Sequence, residues 1–409
     1  MVAKESQLQT GEAVVAAGTA RVSSVRWLAI LATLGMAGHG LGQTVMGPVV
    51  AEVMTEYGVR ETAVGVLLAA GSLGFMVGCL AGGFVVDRVG LKPTLLAAWG
   101  LVMVSLFALV SAPVFAMVLA CYFLFGVASG FVETGLNVLP TQIGGGAWMM
   151  NLVHMGFGVG ALAAPLLVAA LLRSGAGWRG GFLLVVALAA LTLVLGLGSQ
   201  LPEAPGRRPA SEGTPLLRLA RHRLVVMGGL ALFFYVGGEM GVNAWSVLSM
   251  QERFGLDALG AGTALSLFWA AMLAARLVQG AIVARFSIPS VVTVSGVISA
   301  LGIFAFTLAT TPAQAYAAAM VAGLAAGGMY PNVMVYVNGR FPRQIGAVTG
   351  ILSTVAVGGT FVLQPVVGRV AETAGLQVGV LLVAASMLVS SVLLLAVWLR
   401  DRGAASPAH

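Results

Sequence analysis

Apolar stretches of roughly 20 residues, the length that crosses about 30 Å of hydrocarbon as helix, recur from Trp27 to the C-terminus, separated by short polar or glycine-containing breaks. The pattern predicts twelve spans: 27–50, 62–86, 94–112, 114–139, 147–172, 179–200, 224–250, 259–284, 290–310, 313–338, 346–371 and 376–399. Strand alternation is absent, so helices rather than a β-barrel satisfy the backbone in lipid. Residues 201–222 form the longest polar break, rich in Pro, Gly and Arg. The pattern predicts an all-α integral membrane protein, with an N-terminal tail 1–26, a six-helix bundle 27–200, a linker 201–223, a second six-helix bundle 224–399 and a C-terminal tail 400–409.

Composition agrees. Hydrophobic residues make up 59% of the 409 residues and charged residues 9%, with mean hydropathy +1.00, which excludes a soluble domain. The first 25 residues have no apolar core of a signal peptide, so the first span is expected to direct its own insertion. The net charge of +7 is explained by topology rather than by nucleic acid. With both ends cytoplasmic, the inner side holds Lys4, Arg21, Arg26, Arg88, Lys92, Arg207, Arg208, Arg218, Arg221, Arg223, Arg285, Arg340, Arg343, Arg400 and Arg402. The outer side holds Arg60, Arg173, Arg179, Arg253 and Arg369. Basic residues are retained on the cytoplasmic side, and a bacterial plasma membrane is the expected location. Cys79 and Cys121 fall inside spans and read as packing residues, with no metal-ligand spacing.

The chain repeats itself. At an offset of 200 residues His39 and Gln43 match Glu239 and Asn243, Gly158 matches Gly358 and Pro165 matches Pro365. At 197, Gly126 and Gly130 match Gly323 and Gly327, and Gly83 and Arg88 match Gly280 and Arg285. A parallel repeat of membrane helices places the substrate site between the halves near the midplane.

Between spans 2 and 3 the chain reads Gly82-Gly83-Phe84-Val85-Val86-Asp87-Arg88-Val89-Gly90-Leu91-Lys92-Pro93. This resembles the signature loop of the major facilitator superfamily. In the physics of such a loop Gly83 permits close helix approach, Gly90 the tight turn, and Asp87, Arg88 and Lys92 charged contacts at an inner gate. The second copy carries Ala284 where an aspartate would stand, so a weaker gate contact is expected there. Within the superfamily, Gly237–Trp245, Phe268-Trp269, Ala275-Arg276-Leu277 and Glu133–Asn137, followed by Asn151 and His154, resemble the fucose/galactose/glucose:proton symporter family. That resemblance implies proton-coupled sugar uptake with Glu133 as the coupling acid. The family's acidic residue in span 1 has no counterpart here; the polar residue is His39, which leaves sodium open as the coupling ion.

The membrane-buried polar residues can be placed without the family. Glu133 and His154 each lie about seven residues from the inner end of their spans, hence at similar depth about 10 Å in. Asn137 shares a face with Glu133, and Asn151 with His154. A carboxylate in hydrocarbon persists mainly where it has a task, so Glu133 and His154 are proton-coupling candidates, against a reading of Glu133 as a hydrogen bond that holds helices together. At the midplane His39, Gln43, Glu239 and Asn243 offer polar groups, and Trp245 and Trp269 flat apolar faces, with Tyr330, Asn332 and Gln364 completing the wall. Such a mixture suits a sugar. Arg276 is expected to neutralise Glu239 in a structural ion pair; binding an anionic substrate and snorkelling are its alternatives. Gly156–Gly160 lies in a span without a preceding strand, so it reads as helix packing rather than a nucleotide loop.

The expected function is secondary transport by alternating access, proton-coupled and taking up a monosaccharide or similar polar solute. A proton-driven exporter of apolar or cationic compounds is the alternative on the same fold. No nucleophile and base set, metal cluster or nucleotide motif supports an enzyme, so no cofactor or metal is expected. The partners are the solute, protons and lipid, and the protein is expected to be a monomer.

Overall fold

The structure, a computed structural model, describes residues 25–143, 146–201, 216–342 and 344–405. Most of both tails, most of the linker, and Lys4, Arg21, Arg207, Arg208 and Arg343 lie outside the described residues.

Helix α1 (25–44) ends in a short 3₁₀ turn, Gly47–Val49, that leads into α2 (Val50–Tyr57). There follow α3 (Glu61–Val89), α4 (Leu91–Val110), α5 (Phe115–Gln142), α6 (Gly146–Arg173) and α7 (Gly177–Leu197). A short α8 (Leu216–Ala220) precedes α9 (Arg223–Phe254), α10 (Ala258–Val283), α11 (Ile288–Leu308), α12 (Pro312–Ala326), α13 (Met329–Asn338), α14 (Ile345–Ala374) and α15 (Leu376–Ala405). Among the described residues eleven segments are long and apolar enough to cross a membrane, α12 and α13 counting as one, and α1 adds a further helix ahead of them. The expected all-α membrane architecture of two six-helix halves stands.

Two spans depart from continuous helix. The first breaks after residue 44 instead of running to 50, and the tenth breaks at Gly327–Gly328. Helix ends follow local chemistry. Asp257 caps α10 by accepting from the Gly260 N–H at 2.9 Å, and Thr311, ahead of Pro312, accepts from Gln314 in α12. Gly90, at φ 100°, makes the corner between α3 and α4, a conformation that side chains resist.

Within each half, glycines let helices touch backbone to backbone, as the repeat implies. A Cβ on Gly126 of α5 would stand 2.1 Å from the Gly71 carbonyl oxygen of α3, and one on Gly130 2.4 Å from that of Phe75. Their sequence equivalents Gly323 and Gly327 meet the Phe268 and Met272 carbonyls of α10 at 2.1 and 2.5 Å. In hydrocarbon, such close approach supplies the packing attraction that the hydrophobic effect cannot. The outer surface is apolar, with Leu80, Val104, Phe107, Leu301 and Leu308 exposed, as a lipid-facing surface requires.

The halves join by α3 against α14 and α6 against α10. On the face opposite the linker their backbones meet: a Cβ on Gly65 would lie 2.5 Å from the Gln364 carbonyl, and one on Gly368 2.4 Å from that of Glu61. Toward the linker face, Gly83 at the end of α3, Gly280 at the end of α10 and Gly350 at the start of α14 have no atom within 4 Å of such a position. The backbone contacts between the halves thus lie on the face opposite the linker.

Candidate functional site

The buried carboxylate of α5 meets α1. Glu133 Oε2 lies 3.4 Å from His39 Nε2, and Asn137 Nδ2 donates to Glu133 Oε1 at 2.9 Å, one helical turn along the same face. The Asn137 Oδ1 has no partner. His154, expected at the depth of Glu133, is not at ion-pair distance from it among the described residues; His39 is. Equal depth fixed the height of the two side chains but not their azimuth. Helix α6 packs on α1 through Gly156 and Gly160, where a Cβ would lie 2.4 and 1.9 Å from the Thr33 and Ala37 carbonyls, and α1 supplies the imidazole. His154 stays half-buried, within electrostatic range of His39, and Asn151 is exposed.

The C-terminal half holds a second polar set. Glu239, Asn243 and Asn332 are buried. Trp269 Nε1 donates to Asn243 Oδ1 at 3.3 Å, and Asn332 Nδ2 donates to Gln279 Oε1 at 3.0 Å. The Tyr330 hydroxyl lies 3.1 Å from Ser353 Oγ. The Asn243 carbonyl also abuts the other half: a Cβ on Gly47 would stand 2.0 Å from it. Gln43, half-buried on α1, has no hydrogen bond among the described residues.

Trp245 and Gln364 are brought together, though as partners to each other. Trp245 Nε1 donates to Gln364 Oε1 at 2.9 Å, and Gln364 Nε2 donates to the Gly237 carbonyl at 3.0 Å. Both are buried. Nor does Arg276 form the expected ion pair. Its Nε donates to the Gly327 carbonyl at 3.2 Å, with Nη2 3.6 Å from Met272 Sδ, while Glu239 remains only within its electrostatic range. The broken helix after Ala326 frees a carbonyl, which competes for the guanidinium.

The signature loop is arranged differently from expectation as well. Lys92 Nζ donates to the Leu197 and Ser199 carbonyls at 3.0 and 2.8 Å, neutralising the end of α7. Arg88 lies 3.8 Å over the Phe84 ring. Asp87 is exposed and makes no ion pair among the described residues. Close approach falls to Gly82, whose Cβ would lie 2.9 Å from Thr134 Oγ1, rather than to Gly83.

Sequence reasoning missed the bridges between halves on the face opposite the linker. Arg173, ending α6, pairs with Asp257 ahead of α10; Glu372 of α14 accepts from the Thr62 N–H of α3 at 3.3 Å. The Gly260 N–H and then Arg173 hold the Asp257 carboxyl below its ordinary range. The signal was present in the placement of Arg173 and Asp257 at span ends, but pairing them needed the fold.

The sequence profile of the Major Facilitator Superfamily matches residues 32–312 and again 229–409. The chain belongs to this superfamily. Among curated relatives, a Helicobacter pylori protein provisionally named a glucose/galactose transporter is 24% identical over 267 residues, which is 61% of this chain and 65% of that protein. The match thus spans less than two thirds of that relative's length. Among solved structures, a D-xylose–proton symporter superposes with TM-score 0.76 at 16% identity, over 91% of this chain and 97% of that one. A nucleoside transporter gives 0.75 at 15% identity, over 90% and 98%. These structures share the fold. The protein is therefore an integral membrane protein of this superfamily.

Proposed function

We propose that this transporter couples proton movement to uptake of a monosaccharide or a similar polar solute by alternating access. The observation that carries the reading is the His39–Glu133 pair, 3.4 Å apart inside the membrane region and next to the seam between halves. A membrane-buried acid with an imidazole partner changes charge on taking one proton, and each group favours the charged form of the other while burial favours neutrality. Movement of the halves alters that balance by changing access of water. His154 flanks the pair. Solute recognition falls to Gln43 and Asn137 on one half and Glu239, Asn243, Trp269, Tyr330 and Asn332 on the other, with His39 at the boundary and Asn151 toward the opening. The free Gln43 amide and the buried Asn243 supply directional hydrogen bonds to hydroxyls, and Trp269 an apolar face. Trp245 and Gln364 support the wall from behind.

The named sugar relatives support a sugar over an apolar cation as the solute. The contacts between halves lie on the face opposite the linker, so with both termini cytoplasmic in a bacterial plasma membrane this conformation opens inward. The signature loop is then an inner gate in its released position. A monomer contains every residue of this site.

Proteoliposomes test the proposal. Under an imposed pH gradient the wild type accumulates labelled D-glucose, D-galactose or D-xylose, and Glu133→Gln does not, while sugar exchange without a gradient persists. Undiminished accumulation by Glu133→Gln, or accumulation driven by sodium alone, sinks proton coupling. Extrusion of apolar cations with no sugar movement would establish the exporter instead.

A further inference from the structure

A line of side-chain contacts runs from the proton pair in one half to the solute amide in the other. Glu133 meets His39. The His39 ring lies 5.8 Å from Phe157 at 52°, and Phe157 lies 6.0 Å from Trp269, edge to face at 67°. Trp269 Nε1 then donates to Asn243 Oδ1 at 3.3 Å. The elements crossed are α5, α1, α6, α10 and α9, and the boundary between halves falls between Phe157 and Trp269.

Backbone packing gives this line its mechanical meaning. Gly156 and Gly160 press α6 onto the Thr33 and Ala37 carbonyls of α1, and a Cβ on Gly40 would lie 2.2 Å from the Phe157 carbonyl itself. Phe157 is thus fixed to the helix that carries His39. Trp269, buried in the C-terminal half, belongs to the other body. Gly158 faces it too, since a Cβ there would lie 3.0 Å from Leu273 of α10. When the halves rock, the contact that must change is Phe157 against Trp269, not His39 against Phe157.

We propose that Phe157 is the coupling residue of this transporter: it transmits the protonation state of the His39–Glu133 pair to Trp269 and thereby to the solute-binding amide of Asn243. The inference rests on the proton-coupled reading of that pair. An imidazolium is attracted to an aromatic face, whereas neutral imidazole packs on it only as a ring. His39 has two such ring neighbours, since Phe75 also stacks with it, at 6.0 Å and 22°. Gain of charge therefore changes the hold on Phe157, whose edge-to-face contact with Trp269 shifts in turn and re-aims the indole N–H that occupies Asn243. The other ionisable groups facing this line are His154 on α6, Cys79 on α3 and Tyr330 on α13 near the pair, and Glu239 and Tyr235 on α9 with Arg276 on α10 near Trp269. None of them stands between His39 and Trp269 in the chain of ring contacts. The Gly-Phe-Gly-Val-Gly segment, 156–160, is thus a seat for Phe157.

The test needs no ligand in its first arm. Emission of Trp269, isolated in the full-length protein as wild type minus Trp269→Phe, is followed from about pH 5 to about pH 9, the range in which histidine titrates. A sigmoidal change is expected in wild type, absent in His39→Gln, largely lost in Phe157→Leu and kept in Phe157→Tyr. In the second arm, the affinity for the transported sugar changes with pH by about tenfold in wild type, as reciprocal linkage between proton and solute requires, and Phe157→Leu flattens that dependence while its limiting affinity stays near wild type. A full titration in Phe157→Leu, or none in wild type, overturns the inference. If wild-type vesicles accumulate sugar under a pH gradient and Phe157→Leu does so equally, this inference fails while proton coupling stands; no accumulation by wild type removes the coupling reading itself.

Discussion

His39 Nε2 faces Glu133 Oε2 at 3.4 Å, while His154 on α6 makes no ion pair among the described residues. The two histidines are therefore expected to differ in consequence. His39→Gln keeps a polar side chain of similar size and lowers pH-gradient-driven accumulation by about tenfold or more, within the range of known coupling energies. His154→Gln stays within about twofold of wild type on the same scale. Uptake assays in proteoliposomes, with exchange as the control for folding, decide between them; a larger loss in His154→Gln would return the coupling role to α6.

Asn243 is buried at the seam, with its Oδ1 held by Trp269 and its carbonyl against Gly47. Asn243→Ala removes the amide and leaves the Trp269 N–H without its acceptor. Solute affinity is expected to fall by about 1–3 kcal/mol, the cost of a buried polar group left unpaired. Calorimetric titration with the transported sugar measures it, and equal affinity removes Asn243 from the site.

Gln364 is expected to act through stability instead. It satisfies both the Trp245 N–H and the Gly237 carbonyl at full burial. Gln364→Leu orphans the buried Trp245 N–H, at a cost of about 1–3 kcal/mol, and lowers the unfolding midpoint in detergent. A Leu variant with an unchanged midpoint and lost solute binding would instead place Gln364 in direct contact with solute.

The Arg173–Asp257 bridge makes closure of the face opposite the linker dependent on acid. The Asp257 carboxyl is held low by the Gly260 N–H and by Arg173. A depressed carboxylate stabilises its state fully above the ordinary value of about 3.9, and that contribution is lost as pH falls through the lowered value. Closure is thus expected to be insensitive to this residue's titration between neutral pH and about pH 4. Asp257→Asn keeps the cap on α10 but lacks the charge, so it loosens the face at every pH above that lowered value. A reporter is Ser266→Cys with Cys79 and Cys121 replaced by Ala, since Ser266 Oγ donates across the halves to the Leu162 carbonyl at 3.0 Å. Maleimide labelling is expected to quicken a few-fold in Asp257→Asn, an exposed pair being weak; unchanged rates would show that backbone contact alone holds the face shut.

Much of this architecture was legible in the sequence because hydrocarbon imposes a simple rule of length and polarity. Gly126 and Gly130 against Gly323 and Gly327 were legible as a repeat, but the helices they bring together came only with the fold. The candidate site was legible as a set of residues but not as partners. His39, Glu133 and His154 have depths that follow from residue counts, whereas which side chains meet depends on how each helix is rotated. Trp245 and Gln364 look like solute ligands in a linear reading, because aromatic and amide groups carry no mark of whether they face a cavity or one another. Arg276 was misassigned for a similar reason: the helix break that claims it lies about fifty residues further on, at the pair Gly327–Gly328.

That break and that arginine solve each other's solvation problem. A cation inside the membrane region lacks water, and a carbonyl released where a helix stops lacks a donor; Arg276 Nε and the Gly327 oxygen, 3.2 Å apart, stand in for the water each has lost. The α12 end contributes further, since the terminus of a helix carries partial negative charge. The C-terminal half thus holds a permanent positive charge without spending an acidic residue on it. Glu239 is thereby left without a salt bridge among the described residues, with Tyr235 as its hydrogen-bonding neighbour.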